Sequence, residues 1–320
     1  MKSMLLKKLS STLELENVTI PLCKDGELLI KVHSTGLNFA DTLLISGDYQ
    51  EKPPLPFSPG MEFSGTVVKV GSEVSEFSVD DRVVGLTTYG GLSEFVAVDK
   101  KRCLLIPKTM PDNDAAGFFI PYATSEMALN YRAKLQSGET LLVLGAASSV
   151  GITAIQIGKV MGAFVIAVAR GEKKCKIAER SGADLVVDSL KTDLKSYLKK
   201  KGGVDVIYDP VGGPDFRNAL SSSNPEARIL PIGFASGEVP LIPANIVMVK
   251  NITVIGFYWG KYIKYKPQVL SESLQRLLDL YNKSLLKAHI SLVLPLERAN
   301  EGIQLIKKRK ISGKIIIKVS

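Results

Sequence analysis

The sequence predicts a two-domain α/β protein in which a doubly wound parallel sheet accompanies a mainly β domain. Between Thr140 and Phe257, apolar runs alternate with helical stretches, the rhythm of parallel strands covered on both faces. The first 120 residues instead carry short apolar runs separated by Gly, Pro and Asp turns, which point to antiparallel or barrel-like strands. With 320 residues, 45% hydrophobic and 23% charged, the chain is long enough for two cores.

In chain order, strands are expected at Glu27–His33, Gly65–Val70, Asp81–Gly85 and Ser93–Val98. Pro53, Pro54, Pro56 and Pro59 impose an extended loop. The central segment gives strands at Thr140–Gly145, Phe164–Ala169, Asp184–Asp188, Val204–Asp209, Arg228–Gly233 and Ile252–Phe257. Helical patterns fall at Val150–Met161, Glu172–Arg180 and Leu190–Lys200. The tail offers helices at Val269–Lys283 and Leu296–Lys308 and a last strand at Lys314–Val319.

No apolar run approaches the roughly 18 residues of a membrane-spanning helix. The opening, Met1–Ile20, alternates apolar and polar residues and carries Glu14 and Glu16, unlike a secretory peptide. Lys2, Lys7 and Lys8 leave a mitochondrial presequence open. Cys23, Cys103 and Cys175 form no CxxC pair and read as reduced thiols, so a cytoplasmic location is expected. The net charge of +9 comes from dispersed lysines, such as Lys199–Lys201, without interleaved aromatics. A solvated surface is expected, and nucleic acid is not an expected partner.

The chemistry-bearing motif is Leu144-Gly145-Ala146-Ala147-Ser148-Ser149-Val150-Gly151, a strand end, a small-residue turn and a helix start. Small residues let backbone N–H groups approach a pyrophosphate at the positive end of the helix. Gly151, Ala154 and Gly158 leave room for that helix to pack on the sheet. About 20 residues further on, a site for the unphosphorylated dinucleotide would place Asp or Glu against the ribose. This chain has Ala169-Arg170-Gly171, with Lys173 and Lys174 behind. Cations there attract a 2′-phosphate, so NADPH is the expected cofactor.

With these motifs the chain resembles the zinc-free medium-chain dehydrogenases/reductases, the quinone oxidoreductases and ζ-crystallin relatives. The markers are Gly36-Leu37-Asn38-Phe39-Ala40-Asp41, the run Tyr49 to Gly65, Asp80-Asp81-Arg82-Val83, the Gly145–Gly151 loop and Glu172-Lys173-Lys174-Cys175-Lys176. Val204–Asp209, Phe257-Tyr258-Trp259-Gly260 and Gly313-Lys314-Ile315 complete them. The resemblance implies a GroES-like catalytic domain (1–120 and 263–320) split around a Rossmann NADPH-binding domain (121–262), with the active site in the cleft between them. It implies that Lys174 meets the 2′-phosphate, that Gly233 and Phe257 belong to the cofactor site, and that Arg309 reaches the cofactor. Asn38 and Thr124 match positions lining the nicotinamide and acceptor pocket, and Tyr49 matches a tyrosine near the substrate. A homodimer paired through edge strands around Ile252–Phe257 is also implied. The family loop has two glycines where Ser148 and Ser149 stand. Either the backbone binds less closely or their hydroxyls donate to the phosphate. Around Ser189 a family tyrosine is missing, which removes one 2′-phosphate contact.

Zinc-dependent relatives carry a cysteine near Asn38 and a histidine before the glutamate of Gly60-Met61-Glu62. Here those ligands are absent, three cysteines cannot form a structural lobe, and His33 and His289 are the only histidines. No metal is expected. Without a Lewis acid, a conjugated acceptor that spreads incoming charge by itself is the expected substrate, a quinone first. Tyr49 would donate to the developing anion or pack at the mouth of the Pro-rich loop. Asp41 is read as fixing a loop rather than shuttling a proton. Tyr122, Tyr258 and Trp259 would wall the acceptor or serve packing. The alternatives are an enoyl-CoA, acrylyl-CoA or alkenal double-bond reductase, and a non-catalytic NADPH- or RNA-binding crystallin-like protein.

Overall fold

The structure is a computed structural model describing residues 1–320. The chain divides into two compact units, Met1–Ile120 with Ala288–Ser320, and Pro121–Lys287.

The first unit is built on a seven-stranded sheet. Its long strand Glu27–Leu37 pairs antiparallel with Glu62–Val70 along one side. On the other side, the early part pairs with Phe95–Asp99 and the late part with Lys314–Lys318. Sharing one strand between two neighbours curls the sheet, and register breaks near Ile30 and Ser34 accommodate the bend. Period-two alternation sends Leu28, Ile30 and Val32 into one core with Phe63, Val67 and Val83. Leu37, Ile315 and Ile317 enter another with Met4, Leu6, Leu44, Phe57 and Ile303. The helix Phe39–Ser46 follows the long strand directly and buries Leu44 and Ile45.

The second unit holds six parallel strands, Thr140–Val143, Phe164–Ala169, Leu185–Asp188, Val204–Asp209, Ser223–Pro231 and Thr253–Val254. Numbered along the chain, they lie in the order 3-2-1-4-5-6. The order reverses between the first and fourth strands, which opens a crevice at their carboxyl ends. The doubly wound sheet expected from the sequence is therefore present.

Several expected elements differ. Ile252–Phe257 is cut to Thr253–Val254, and Arg228–Gly233 is displaced to Ser223–Pro231. Helices Asp112–Glu126, Gly213–Ser221 and Ala244–Lys250 and strand Ile290–Pro295 were not expected. Pro121 inside the first of these helices and the Gly-Gly-Pro opening of the second imitate loop signals.

The tail boundary expected at 263 also moves. Helix Pro267–Asn282 belongs to the second unit. It packs there through Leu270, Leu274, Leu277 and Leu278. Ser273 Oγ donates to the buried Glu126 carboxylate, and Arg276 Nε donates to the same group at 2.9 Å. Glu126→Ala is expected to lower unfolding free energy by about 2–3 kcal/mol, because Ser273 loses a buried charged acceptor. Amide exchange over residues 267–282 should accelerate, whereas unchanged exchange there would detach the helix from this anchor.

Candidate active site

In the second unit, the turn after Thr140–Val143 is held by its backbone. Ala146 N–H donates to Val168 O at 2.9 Å and Ser148 N–H to Gly145 O at 2.9 Å. Those two donors, expected to face the phosphate, are engaged in shaping the turn. Ser148 is the N-cap of helix Ser149–Val160, with φ −74° and ψ 165°, ordinary extended backbone that needs no glycine. Its Oγ accepts from Gly151 N–H at 3.1 Å, so its own hydrogen remains able to donate to an anion. Ser149 and Val150 N–H groups lie in the first turn, where no helical acceptor precedes them. A Cβ on Gly151 would stand 2.4 Å from Gly145 O and 2.8 Å from Ala146 Cα. The close approach of helix to turn therefore requires glycine there. On Gly158 a Cβ would meet Leu141 Cδ2 at 2.6 Å, so the helix also lies tight against the first strand. The turn, with Gly145, Ala147 and Ser148–Gly151, forms a cradle suited to a pyrophosphate.

Arg170 follows the second strand and is exposed, and Lys174 lies in the first turn of helix Glu172–Arg180. Gly171 N–H donates to Asp188 Oδ1 at 2.8 Å, as does Leu190 N–H at 3.0 Å. These bonds hold the Asp188 carboxyl below its ordinary pKa. The carboxylate on the adjacent strand is thus committed to backbone, while Arg170 directly follows the second strand and Lys174 lies in the first turn of the next helix. Burial raises the pKa of Asp215, on the helix Gly213–Ser221, while the nearby Arg170 charge opposes the rise.

Thr124 is buried in the last turn of helix Asp112–Glu126. Its neighbour Ser125 joins a buried hydroxyl chain, 2.7 Å from Thr153 Oγ1 and 3.0 Å from the Tyr208 hydroxyl. Thr153 in turn donates to Pro121 O at 3.1 Å. The chain ties the turn bearing Thr124 to helix Ser149–Val160, a link that sequence reading missed. Tyr122 is buried, the packing alternative left open for it, with its hydroxyl 2.7 Å from Gln156 Oε1 and 2.8 Å from Lys287 O. Gly233 N–H donates to Asp209 O at 3.3 Å, just past the fifth strand. The Phe257 ring centroid lies 5.8 Å from that of Tyr262.

In the first unit, Asn38 caps helix Phe39–Ser46. Its amide Nδ2 donates to Glu62 Oε1 at 3.1 Å and Gly36 O at 3.3 Å, and its Oδ1 accepts from Lys314 Nζ at 2.7 Å. All three of these bonds run to groups within the first unit, so the Asn38 amide is held in one orientation. Lys314 also pairs with Glu62, whose other oxygen accepts from Ile120 N–H at 2.9 Å. Glu62 is 0% exposed and Lys314 3%. Neither was singled out as a site residue, although a lone charge at a core-facing strand position signals a partner elsewhere. Asp41 accepts from Asn38 N–H at 2.7 Å and Gly60 N–H at 3.1 Å, which fixes the loop as expected. Tyr49 follows the helix end at Gly47 (φ 82°), its N–H on Leu43 O at 3.2 Å, and its side chain is partly buried against the core. Arg309 is exposed after helix Ala299–Lys307, in a left-handed turn at φ 54°. No three His, Cys, Asp or Glu side chains are grouped to hold a metal ion.

Burial pushes the Asp41 carboxyl up to about 6, against its backbone donors and the Lys314 charge. The folded protein therefore binds this proton more tightly than the unfolded chain does. Stability falls as pH rises from about 4 to about 6, and the cost of about 3 kcal/mol persists above that range. In urea titrations across pH 4–7, Asp41→Asn is expected to remove this component of the slope. Parallel wild-type and variant profiles would show that Asp41 does not titrate there.

The chain matches the Alcohol dehydrogenase GroES-like domain over residues 24–108 and the Zinc-binding dehydrogenase family over 149–279. It is 38% identical to Quinone oxidoreductase-like protein 2 of Bos taurus over 320 residues, covering 99% of this chain and 92% of the relative. With a Nematostella vectensis homolog of that protein, identity is 40% over 298 residues, 91% of this chain and 81% of the relative. The Escherichia coli quinone oxidoreductase crystallised with NADPH superposes with a TM-score of 0.93 at 25% identity, over 100% of both chains. The Thermus thermophilus quinone oxidoreductase, whose NADPH complex is also known, gives 0.88 at 29% identity, again over 100% of both. Split β domain, doubly wound sheet, glycine-tight phosphate turn and these relatives agree, and the chain belongs to the medium-chain dehydrogenase/reductase family of oxidoreductases, beside the quinone oxidoreductase-like proteins.

Proposed function

We propose that this oxidoreductase binds NADPH and reduces a quinone by hydride transfer, without a metal ion. The observation that carries the reading is the pairing of the Gly151-tight cradle with Arg170 and Lys174 at the end of the second strand. Bound NADPH would supply the hydride. The Ser148 hydroxyl and the first-turn N–H groups of Ser149 and Val150 would hold the pyrophosphate. Arg170 and Lys174 would hold the ribose 2′-phosphate, which a carboxylate in their place would repel. Thr124, anchored through Ser125 to Thr153 and Tyr208, would fix the nicotinamide.

The metal-free reading is supported by what Asn38 and Glu62 bind. Both turn their oxygens to the Lys314 ammonium. A quinone needs no external Lewis acid, because its conjugated carbonyls share the incoming negative charge. The protein then needs to hold the acceptor in place and to donate a proton or hydrogen bond, the role we give Tyr49. A homodimer is favoured by the short edge strand Thr253–Val254 and the exposed Met248 and Val249 of the preceding helix.

With NADPH, a simple benzoquinone is expected to give a kcat/KM at least about tenfold above an enal, an enoyl-CoA or a simple ketone, unaffected by EDTA. Preference for the enoyl thioester, or inactivation by chelation, would overturn the acceptor or the metal-free reading respectively. Tyr49→Phe is expected to lower kcat about 10- to 100-fold, and intact turnover would remove Tyr49 from proton donation.

A further inference from the structure

We propose that Lys314 is a positioning residue for the acceptor side of the site, acting through Asn38 and helix Phe39–Ser46 on Tyr49. The proposal rests on the reductase reading above. A lysine buried beside Ile315, Ile316 and Ile317 is an expensive way to stabilise a core, because well-packed apolar side chains often serve as well or better. What the ammonium adds is orientation.

Lys314 Nζ, Asn38 and Glu62 close a ring of hydrogen bonds: Nζ to Asn38 Oδ1 at 2.7 Å, Asn38 Nδ2 to Glu62 Oε1 at 3.1 Å, and Nζ to the same Glu62 oxygen. Flipping the Asn38 amide would set its NH2 group against the ammonium, so only one orientation survives. Asn38 is also the N-cap, with its backbone N–H tied to Asp41 at 2.7 Å. The eight-residue helix it opens is too short to hold itself in water and depends on its anchors. At the far end, Asp48 and Tyr49 N–H groups both donate to Leu43 O, at 2.9 and 3.2 Å. The position of Tyr49 is thereby referred, through one turn and one short helix, to the Lys314 amine.

The test compares the full-length wild type with Lys314→Met and Lys314→Arg. Three quantities are read: amide exchange of the segment 39–49, NADPH Kd, and kcat with acceptor KM. For Lys314→Met, faster exchange in 39–49 and a kcat at least about tenfold lower are expected, since small misplacements at a reacting centre are costly. NADPH Kd should stay within about twofold, because the cradle lies in the other unit. In Lys314→Ala, which vacates the stem as well, millimolar propylammonium beside Glu62 should restore part of kcat, and Lys314→Arg should fall between wild type and Lys314→Met. If Lys314→Met does not fold, the double variant Lys314→Met/Glu62→Gln, which removes both charges, carries the same expectations. A lowered Tm with unchanged exchange, kcat and KM would overturn the proposal and leave Lys314 a purely structural residue. A wild type that reduces no conjugated carbonyl would sink the reductase reading, while exchange in 39–49 would still decide whether Lys314 positions the helix.

Discussion

Gly151 lies so close to the Gly145 carbonyl that no side chain fits between them, and the geometry of the nucleotide-binding unit follows from that contact. It sets the start of helix Ser149–Val160 against the end of the first strand, at the crevice where the strand order reverses. Gly158 repeats the constraint further along, against Leu141 and Val165. The Ser125–Thr153–Tyr208 hydroxyls then fix the helix sideways to the turn that carries Thr124. An unpaired helix N-terminus is common in proteins; one held rigidly at a sheet switch point, with cations after the next strand, is the feature on which the proposed NADPH site rests.

The first unit solves a different problem with buried charge. Glu62 and Lys314 enter the core from strands far apart in sequence and pair with each other; Asn38 bonds both, and the Ile120 amide donates to the second Glu62 oxygen. Asp41 adds a second carboxylate whose proton affinity is raised by burial. Such an arrangement costs desolvation of three charged groups and fixes the loop and the start of helix Phe39–Ser46. The two units thus share a pattern in which a short helix is held at its N-terminus by groups it could not replace with generic packing.

The parallel sheet was legible because its strands are continuous apolar runs, and Phe164–Ala169 and Val204–Asp209 appear with the boundaries expected. The tight turn ahead of helix Ser149–Val160 was legible from its small residues, but not which of its amides the turn itself uses. The commitment of Ala146 and Ser148 N–H groups depends on Val168 and on the fold of the turn itself. Helix Asp112–Glu126 was hidden by Pro121, and helix Pro267–Asn282 was assigned to the wrong unit because its anchor, Glu126, is distant in sequence. For the same reason the inward turn of the Asn38 amide was invisible: it needs Lys314, separated from it by most of the chain. Local pattern gives elements and motifs, whereas long-range pairing of polar groups decides which side chains remain available for chemistry.

In the proposed function, Arg170 and Lys174 hold the ribose 2′-phosphate that separates NADPH from NADH. Equilibrium titration of the purified protein with NADPH and with NADH, repeated on Arg170→Ala/Lys174→Ala, tests it most directly. NADPH is expected to bind at least about tenfold tighter than NADH, with the double variant reduced to near equality. Failure to bind either dinucleotide, or a preference for NADH in the wild type, would contradict it.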